Sequence, residues 1–297
     1  MSPPVSSVSY KQLIVGLPGS GKTTFLAALW QVVTTREVPG SLSLIKFEGD
    51  RRHLNKIHKA WLQFREVGRT VQNTEQVVSM KLSLPGSDET AGLVFPDMSG
   101  ESFRQQWVDR KWTREYDALA RESCGVLLFV HPTKVIAPNR IHPGVEEAVS
   151  LLGNVEDTQG ETAVADEDIF LPDWDPKKSP TQVQLVELLQ FIEQQFYLDN
   201  IRRVAVLVSA WDLVRARYES SQEWLSKRLP LLDQYLRANR ERFQSRVYGI
   251  SAQGGPLDGD ISRLQQYEYQ SERIEIVGEG CAPHDITAPV KWAMGRA

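Results

Sequence analysis

The chain has 297 residues, 41% of them hydrophobic, and a formal charge of −4; it can bury a sizeable core but lacks the broad basic excess that nonspecific nucleic-acid binding relies on. Eight acids between Glu156 and Pro176, with no Lys or Arg among them, make the negative balance local. Two isolated cysteines (Cys124, Cys281), a start without basic or apolar leader, and no run approaching 18 apolar residues set the expectation of a cytoplasmic protein with no membrane span and no direct nucleic-acid partner.

Gln12 to Val15 reads as a short buried strand and Thr24 to Trp30 as a helix, with a glycine-rich loop between them. Thr34 to Gly40 carries turn residues, and Ser41 to Phe47 reads as a weak strand. Asp50 to Glu66 predicts a helix, with Leu54, Ile57, Trp61 and Phe64 at three- and four-residue spacing. Val77 to Leu84 and Gly92 to Pro96 read as strands joined through Pro85-Gly86, hence as antiparallel neighbours. Glu101 to Glu122 predicts one helix with an uneven aromatic stripe: Phe103, Trp107, Trp112 and Tyr116. The apolar run Gly125 to Val130 has the character of a central strand buried on both faces. Periodicity then disappears from His131 to about Pro180.

Leu185, Leu189, Ile192 and Phe196 mark the next helix, and Val204 to Val208 the next buried strand. An S-x-x-E capping box at Ser220 opens a helix carrying Leu225, Leu229, Leu232 and Leu236. Val247 to Ile250 and Arg273 to Val277 read as strands, and Thr287 to Arg296 as a closing helix. The alternation predicts an α/β fold: a doubly wound, mostly parallel sheet with helices on both faces. We expect a single domain over 1–297, with insertions at about 36–70 and 132–180 and an extension from about 256.

Gly16-Leu17-Pro18-Gly19-Ser20-Gly21-Lys22-Thr23 fits the phosphate-loop pattern G-x-x-x-x-G-K-[ST] in its strand–loop–helix setting, so the expected fold is that of a P-loop NTPase. Gly16, Gly19, Ser20, Gly21, Lys22, Thr23 and Thr24 are the candidate phosphate-binding residues. Glycines let successive N–H groups turn onto phosphate oxygens at a helix N-terminus, Lys22 adds a point charge, and the Thr23 hydroxyl suits Mg²⁺. Asp97-Met98-Ser99-Gly100 follows a strand and matches D-x-x-G, with Asp97 as a Mg²⁺ ligand and the Gly100 N–H as a γ-phosphate sensor. Ser209-Ala210-Trp211-Asp212 and Ser251-Ala252-Gln253-Gly254 close two further buried strands.

In that order, from about Lys11 to Gly255, these four stretches resemble the G1, G3, G4 and G5 boxes of the TRAFAC-class GTPases. The resemblance implies GTP or GDP with Mg²⁺, Asp212 accepting from the guanine N1–H and exocyclic amine, and the Ala252 N–H, beside Ser251, facing guanine O6. Two departures stand out. Ser209 and Ala210 replace the Asn/Thr and Lys of N/T-K-x-D, removing the lysine stem that covers one face of the base; Trp211 either stacks in its place or packs into the core. Glu101 stands where Ras-like members have the glutamine that orients water, so hydrolysis is expected to be slow, with Glu101 either catalytic or a favourable helix-start residue. The switch I threonine, catalytic and a Mg²⁺ ligand, is Thr74 with Thr70 as a rival; Arg69 is either an internal arginine finger or a surface residue.

Asp285 to Trp292 and the D-x-x-G-E junction resemble the double-GTPase families of bacterial conflict and defence gene clusters. That implies a protein partner, either a second GTPase or an associated effector. The aromatics after Gly100 either meet such a partner or pack beneath the helix carrying Trp61 and Phe64. The expected function is a slow Mg²⁺-dependent GTPase switch relying on Lys22, Glu101 and Thr74; the alternatives are a nonhydrolysing nucleotide-dependent scaffold and an ATPase or kinase.

Overall fold

Leu13, Ile14 and Val15 are fully buried, which requires cover on both faces of their strand, and β1 (Ser9–Gly16) accordingly lies inside an eight-stranded sheet. The computed structural model describes residues 9–66, 77–96, 100–138, 178–194, 202–257 and 262–295. The remaining strands are β2 (Ser43–Glu48), β3 (Val78–Ser83), β4 (Thr90–Phe95), β5 (Gly125–Val130), β6 (Arg202–Ser209), β7 (Phe243–Ser251) and β8 (Glu275–Val277). Their order is β2-β3-β4-β1-β5-β6-β7-β8. The five strands from β4 to β7 pair parallel, β2, β3 and β4 form an antiparallel ribbon on one side, and β8 closes the other side antiparallel.

One face is covered by α1 (Lys22–Thr35), α2 (Arg51–Leu62) and α9 (Ala288–Ala293), which follows the short α8 (Ser262–Gln265) in the chain; Leu26, Trp61 and Val290 are buried there against the sheet. The other face is covered by α4 (Arg114–Glu122), α5 (Thr181–Gln194), α6 (Ser221–Arg228) and α7 (Pro230–Ala238). The chain thus has the mostly parallel, doubly wound α/β fold that the sequence predicts. α9 is tied to the central strand, because the buried Gln12 donates from Nε2 to the Val290 carbonyl at 2.8 Å. Just ahead of α9, Asp285 is fully buried and accepts from the Thr287 hydroxyl and from Lys291 Nζ, each at 2.5 Å. Thr287 Oγ1 in turn accepts from the Leu42 N–H at 3.1 Å.

Two predicted helices are each two helices. The stretch 101–122 divides into α3 (Glu101–Asp109) and α4, because Arg110 turns left-handed (φ 53°) and Thr113 starts the next helix, its hydroxyl accepting from the Tyr116 N–H. Gln106 Oε1 accepts from the Thr113 N–H and bridges the break. The helix predicted from Ser220 divides into α6 and α7 at Pro230, which has no N–H to donate and pushes Leu229 out of the helical region. Leu225, Leu229, Leu232 and Leu236 nevertheless all reach the core. The acidic stretch 156–176 lies outside the described residues.

The aromatic stripe is core, but not beneath α2. Phe103 meets Tyr116 edge-on at 5.1 Å, and Trp112 stacks on Phe191 of α5 at 5.7 Å, across the sheet from Trp61. Trp107, 3% exposed, has Arg110 over its ring at 4.9 Å. Trp107→Ala should therefore lower unfolding stability by about 3–5 kcal/mol, measured by chemical denaturation; an unchanged unfolding midpoint would place the ring outside the core.

Candidate functional site

Parallel strands release their loops at one end, and the glycine loop leaves β1 there, between β4 and β5. The Ser20 N–H closes a tight turn on the Leu17 carbonyl at 3.2 Å. Gly21 caps α1 in the left-handed region (φ 96°), where a Cβ would lie 2.6 Å from Ser209 Cβ. Gly21 brings no side chain, so the first-turn N–H groups of a 14-residue helix face outward. Ser209, at the end of β6, directs its hydroxyl to the Ser20 carbonyl (2.8 Å), with the Val130 carbonyl of β5 at 3.2 Å. One serine thereby joins the loop to two strand ends.

Lys22 is 2% exposed, and its Nζ donates to the carbonyls of Gly16 (2.7 Å) and Leu17 (3.3 Å). Ser20 Oγ is buried without a hydrogen-bond partner among the described residues. Gly100 lies against the back of the loop at φ 81°; a Cβ there would meet Gly16 O and Leu17 C at 2.6 Å and Lys22 Nζ at 2.7 Å. A buried ammonium resting on carbonyls, an orphaned hydroxyl and a backbone with no room for side chains fit a ligand rich in anionic oxygens.

Two strands along, Ala210 is left-handed (φ 45°) and starts the short turn Trp211–Leu213. Asp212 Oδ1 accepts from the Ser251 hydroxyl at 2.5 Å, which ties the ends of β6 and β7. Trp211 is 4% exposed and packs on Gly249, where a Cβ would lie 2.5 Å from the indole. Trp211 is thus a core residue and not a stacking surface. The loop after β7 is held by α2: Trp61 Nε1 donates to the Ala252 carbonyl (2.8 Å), and Gln253 Nε2 to the Trp61 carbonyl (3.3 Å). Arg273 donates to that same carbonyl (2.5 Å), with its guanidinium 3.7 Å from the Trp61 ring centroid; burial pulls its pKa down to about 9.

These loops enclose a cavity of about 800 Å³. Gly19, Ser20, Gly21, Lys22, Thr23, Thr24, Glu101, Asp212, Ser251 and Ala252 all line it, while Gly16 and Gly100 stand behind the loop. Glu101, the first residue of α3, has its carboxylate 3.9 Å from Arg104 Nη1. Asp97, Thr74, Thr70 and Arg69 lie outside the described residues. Among the described residues no group of three His, Cys, Asp or Glu could hold a metal ion. The Thr23 hydroxyl fits Mg²⁺, which ordinarily takes one or two protein oxygens beside phosphates and water.

Sequence reasoning passed over four lining residues with ionisable side chains, Arg65 and Glu66 after α2 and His131 and Lys134 after β5. The only signal for His131 and Lys134 was their place just beyond a buried parallel strand. His131 Nδ1 accepts from the Thr133 N–H at 3.3 Å. Its pKa is lowered by burial and by Lys134, against an opposing pull from Asp212.

A glycine loop feeding a helix N-terminus at the carboxyl end of a doubly wound sheet defines a P-loop nucleotide-binding protein. Residues 13–293 match the family described as Double-GTPase 1, and the chain belongs to that family. No curated protein matches the chain. Among solved structures, it is similar to the GTP-bound Ski7 GTPase-like domain of S. cerevisiae, at 13% identity and a TM-score of 0.43. That alignment covers 84% of this chain and 44% of the other. Among the described residues, no helix is long and apolar enough to cross a membrane.

Gly100→Ala should abolish nucleotide binding in calorimetry while leaving the circular dichroism spectrum intact, because the new methyl group pushes into the loop and not into the core. Unchanged affinity would show that the loop tolerates displacement. Acid should also weaken the fold. His58 is held below its ordinary pKa by burial and Arg273, and His131 by burial and Lys134. The unfolded chain therefore binds more protons below about pH 6.5; the stabilisation is complete above that pH and is lost as pH falls through the folded-state values. The melting temperature should drop between about pH 7 and pH 5, and His131→Gln should flatten the slope.

Proposed function

We propose that the chain is a Mg²⁺-dependent GTPase that hydrolyses GTP slowly to GDP and phosphate and acts as a nucleotide switch in a multiprotein bacterial defence system. What carries the reading is that the phosphate loop and the Asp212–Ser251–Ala252 cluster open on one cavity in a double-GTPase family member. In it, the loop N–H groups and Lys22 bind the β- and γ-phosphates, and Thr23, Asp97 and Thr74 hold the metal. Bound Mg²⁺ supplies charge neutralisation across the phosphates. Asp212, oriented by the Ser251 hydroxyl, accepts from guanine N1–H and the exocyclic amine, a donor pair that adenine lacks. The Ala252 N–H faces O6. Glu101 orients the attacking water less well than a glutamine, since its charge approaches the γ-phosphate.

A protein partner, a second GTPase or an associated effector, receives the switch. The same carboxylate on the cavity also favours a second reading, a nonhydrolysing scaffold in which bound GTP holds an assembly surface. Phosphate release measured alone and with a co-purifying partner separates the two: slow release supports the enzyme, and none under either condition supports the scaffold. Lys22→Ala should reduce GTP affinity at least about 100-fold in isothermal titration, as expected for losing a charge-assisted contact of about 3 kcal/mol. Wild-type affinity in that variant, or a preference for ATP over GTP in the native protein, would sink the proposal.

A further inference from the structure

If the cavity takes guanine, something must cover the faces of the base, and among the described residues the usual sources are absent. Ala210 offers only a methyl group, and three candidate aromatic rings are committed elsewhere. Trp211 is packed on Gly249, Trp61 lies under Arg273, and Phe64 has the same guanidinium 4.2 Å from its ring centroid. Phe25 and Phe129 border the cavity but are 1% exposed each and meet edge-on at 4.9 Å.

Two long cationic side chains on the cavity wall remain. Lys134 stands in the turn after β5, where its N–H bonds the His131 carbonyl at 3.0 Å. Arg65 follows α2, its N–H on the Ala60 carbonyl at 3.0 Å. Both are exposed, and neither is in an ion pair among the described residues. Their positions are complementary. β5 and β7 flank β6 on opposite sides, Lys134 comes from the β5 side, and Arg65 comes with α2, which Trp61 fixes to the loop after β7. Asp212 follows β6, the strand that lies between β5 and β7.

We propose that Lys134 and Arg65 form a clamp on the two faces of the guanine base, taking over the role of the lysine missing at position 210. The inference rests on the GTP reading above. A lysine stem covers an aromatic face with its methylenes, and a guanidinium plane stacks on one directly. The clamp has no base preference of its own, so selectivity stays with Asp212, and it acts on GTP and GDP alike.

Isothermal titration of the full chain and its Lys134→Ala, Lys134→Met and Arg65→Ala variants with GTP and GDP tests this. Each alanine variant should weaken both nucleotides by the same factor, about fivefold to tenfold, while Lys134→Met, which keeps an unbranched stem, stays within about twofold of wild type. Both side chains are exposed, so unchanged melting curves should accompany the losses. Alanine variants that bind like wild type overturn the clamp and leave the GTP reading standing. A loss confined to GTP also overturns it, by placing the cation at the γ-phosphate. A native protein that binds neither nucleotide sinks the GTP reading and the clamp together.

Discussion

Space for one carbon atom governs this site. A Cβ at Gly100 would lie 2.6 Å from the backbone of Gly16 and Leu17, and one at Gly21 would lie 2.6 Å from the Ser209 side chain, so the loop, the end of β6 and the start of α3 are in close contact. The Ser209 hydroxyl reinforces the joint from the side. Such contact leaves little slack: a shift of a few tenths of an ångström in any of the three segments must be shared by the others. The cavity side of the loop is thereby coupled to α3, with Lys22 Nζ beside Gly100.

The glycine loop was legible from residues alone, because it is made of backbone conformations that only glycine adopts easily and these leave a spacing in the sequence. The adjacency of Asp212 and Ser251 was legible too, since both close strands of a parallel sheet. What escaped was whatever depends on a distant partner. Nothing local distinguishes a tryptophan that donates to the Ala252 carbonyl, 191 residues away, from one that merely fills a core. The break at Arg110 was invisible because arginine is an ordinary helix former, and a bridging Gln106 decides it. Pro230, by contrast, was in plain sight, and the leucine periodicity that continues across it concealed the break.

The segment between α1 and β3 changes meaning in this light. A helix inserted there could have been decoration, yet α2 contributes Trp61 to the loop after β7 and carries Arg65 to the cavity rim. Arg273 completes the arrangement by filling the gap between Trp61, Phe64 and the Gly254 backbone. A buried guanidinium with so few hydrogen bonds is costly to desolvate, and the two aromatic faces offset part of that cost. The end of the cavity at Asp212 and Ala252 is thus assembled from pieces remote in sequence, whereas the glycine-loop end is assembled from one short stretch.

The bond from Gln12 to the Val290 carbonyl has a consequence in time as well as in space. It spans 278 residues, and the strand it steadies is the one from which the phosphate loop departs. On a ribosome, 278 residues separate the emergence of Gln12 from that of Val290, so the strand that carries the loop is made long before this buried partner. A nascent chain cut short of Val290 would therefore carry the glycine loop on a strand whose buried Gln12 amide lacks the carbonyl it meets in the finished fold.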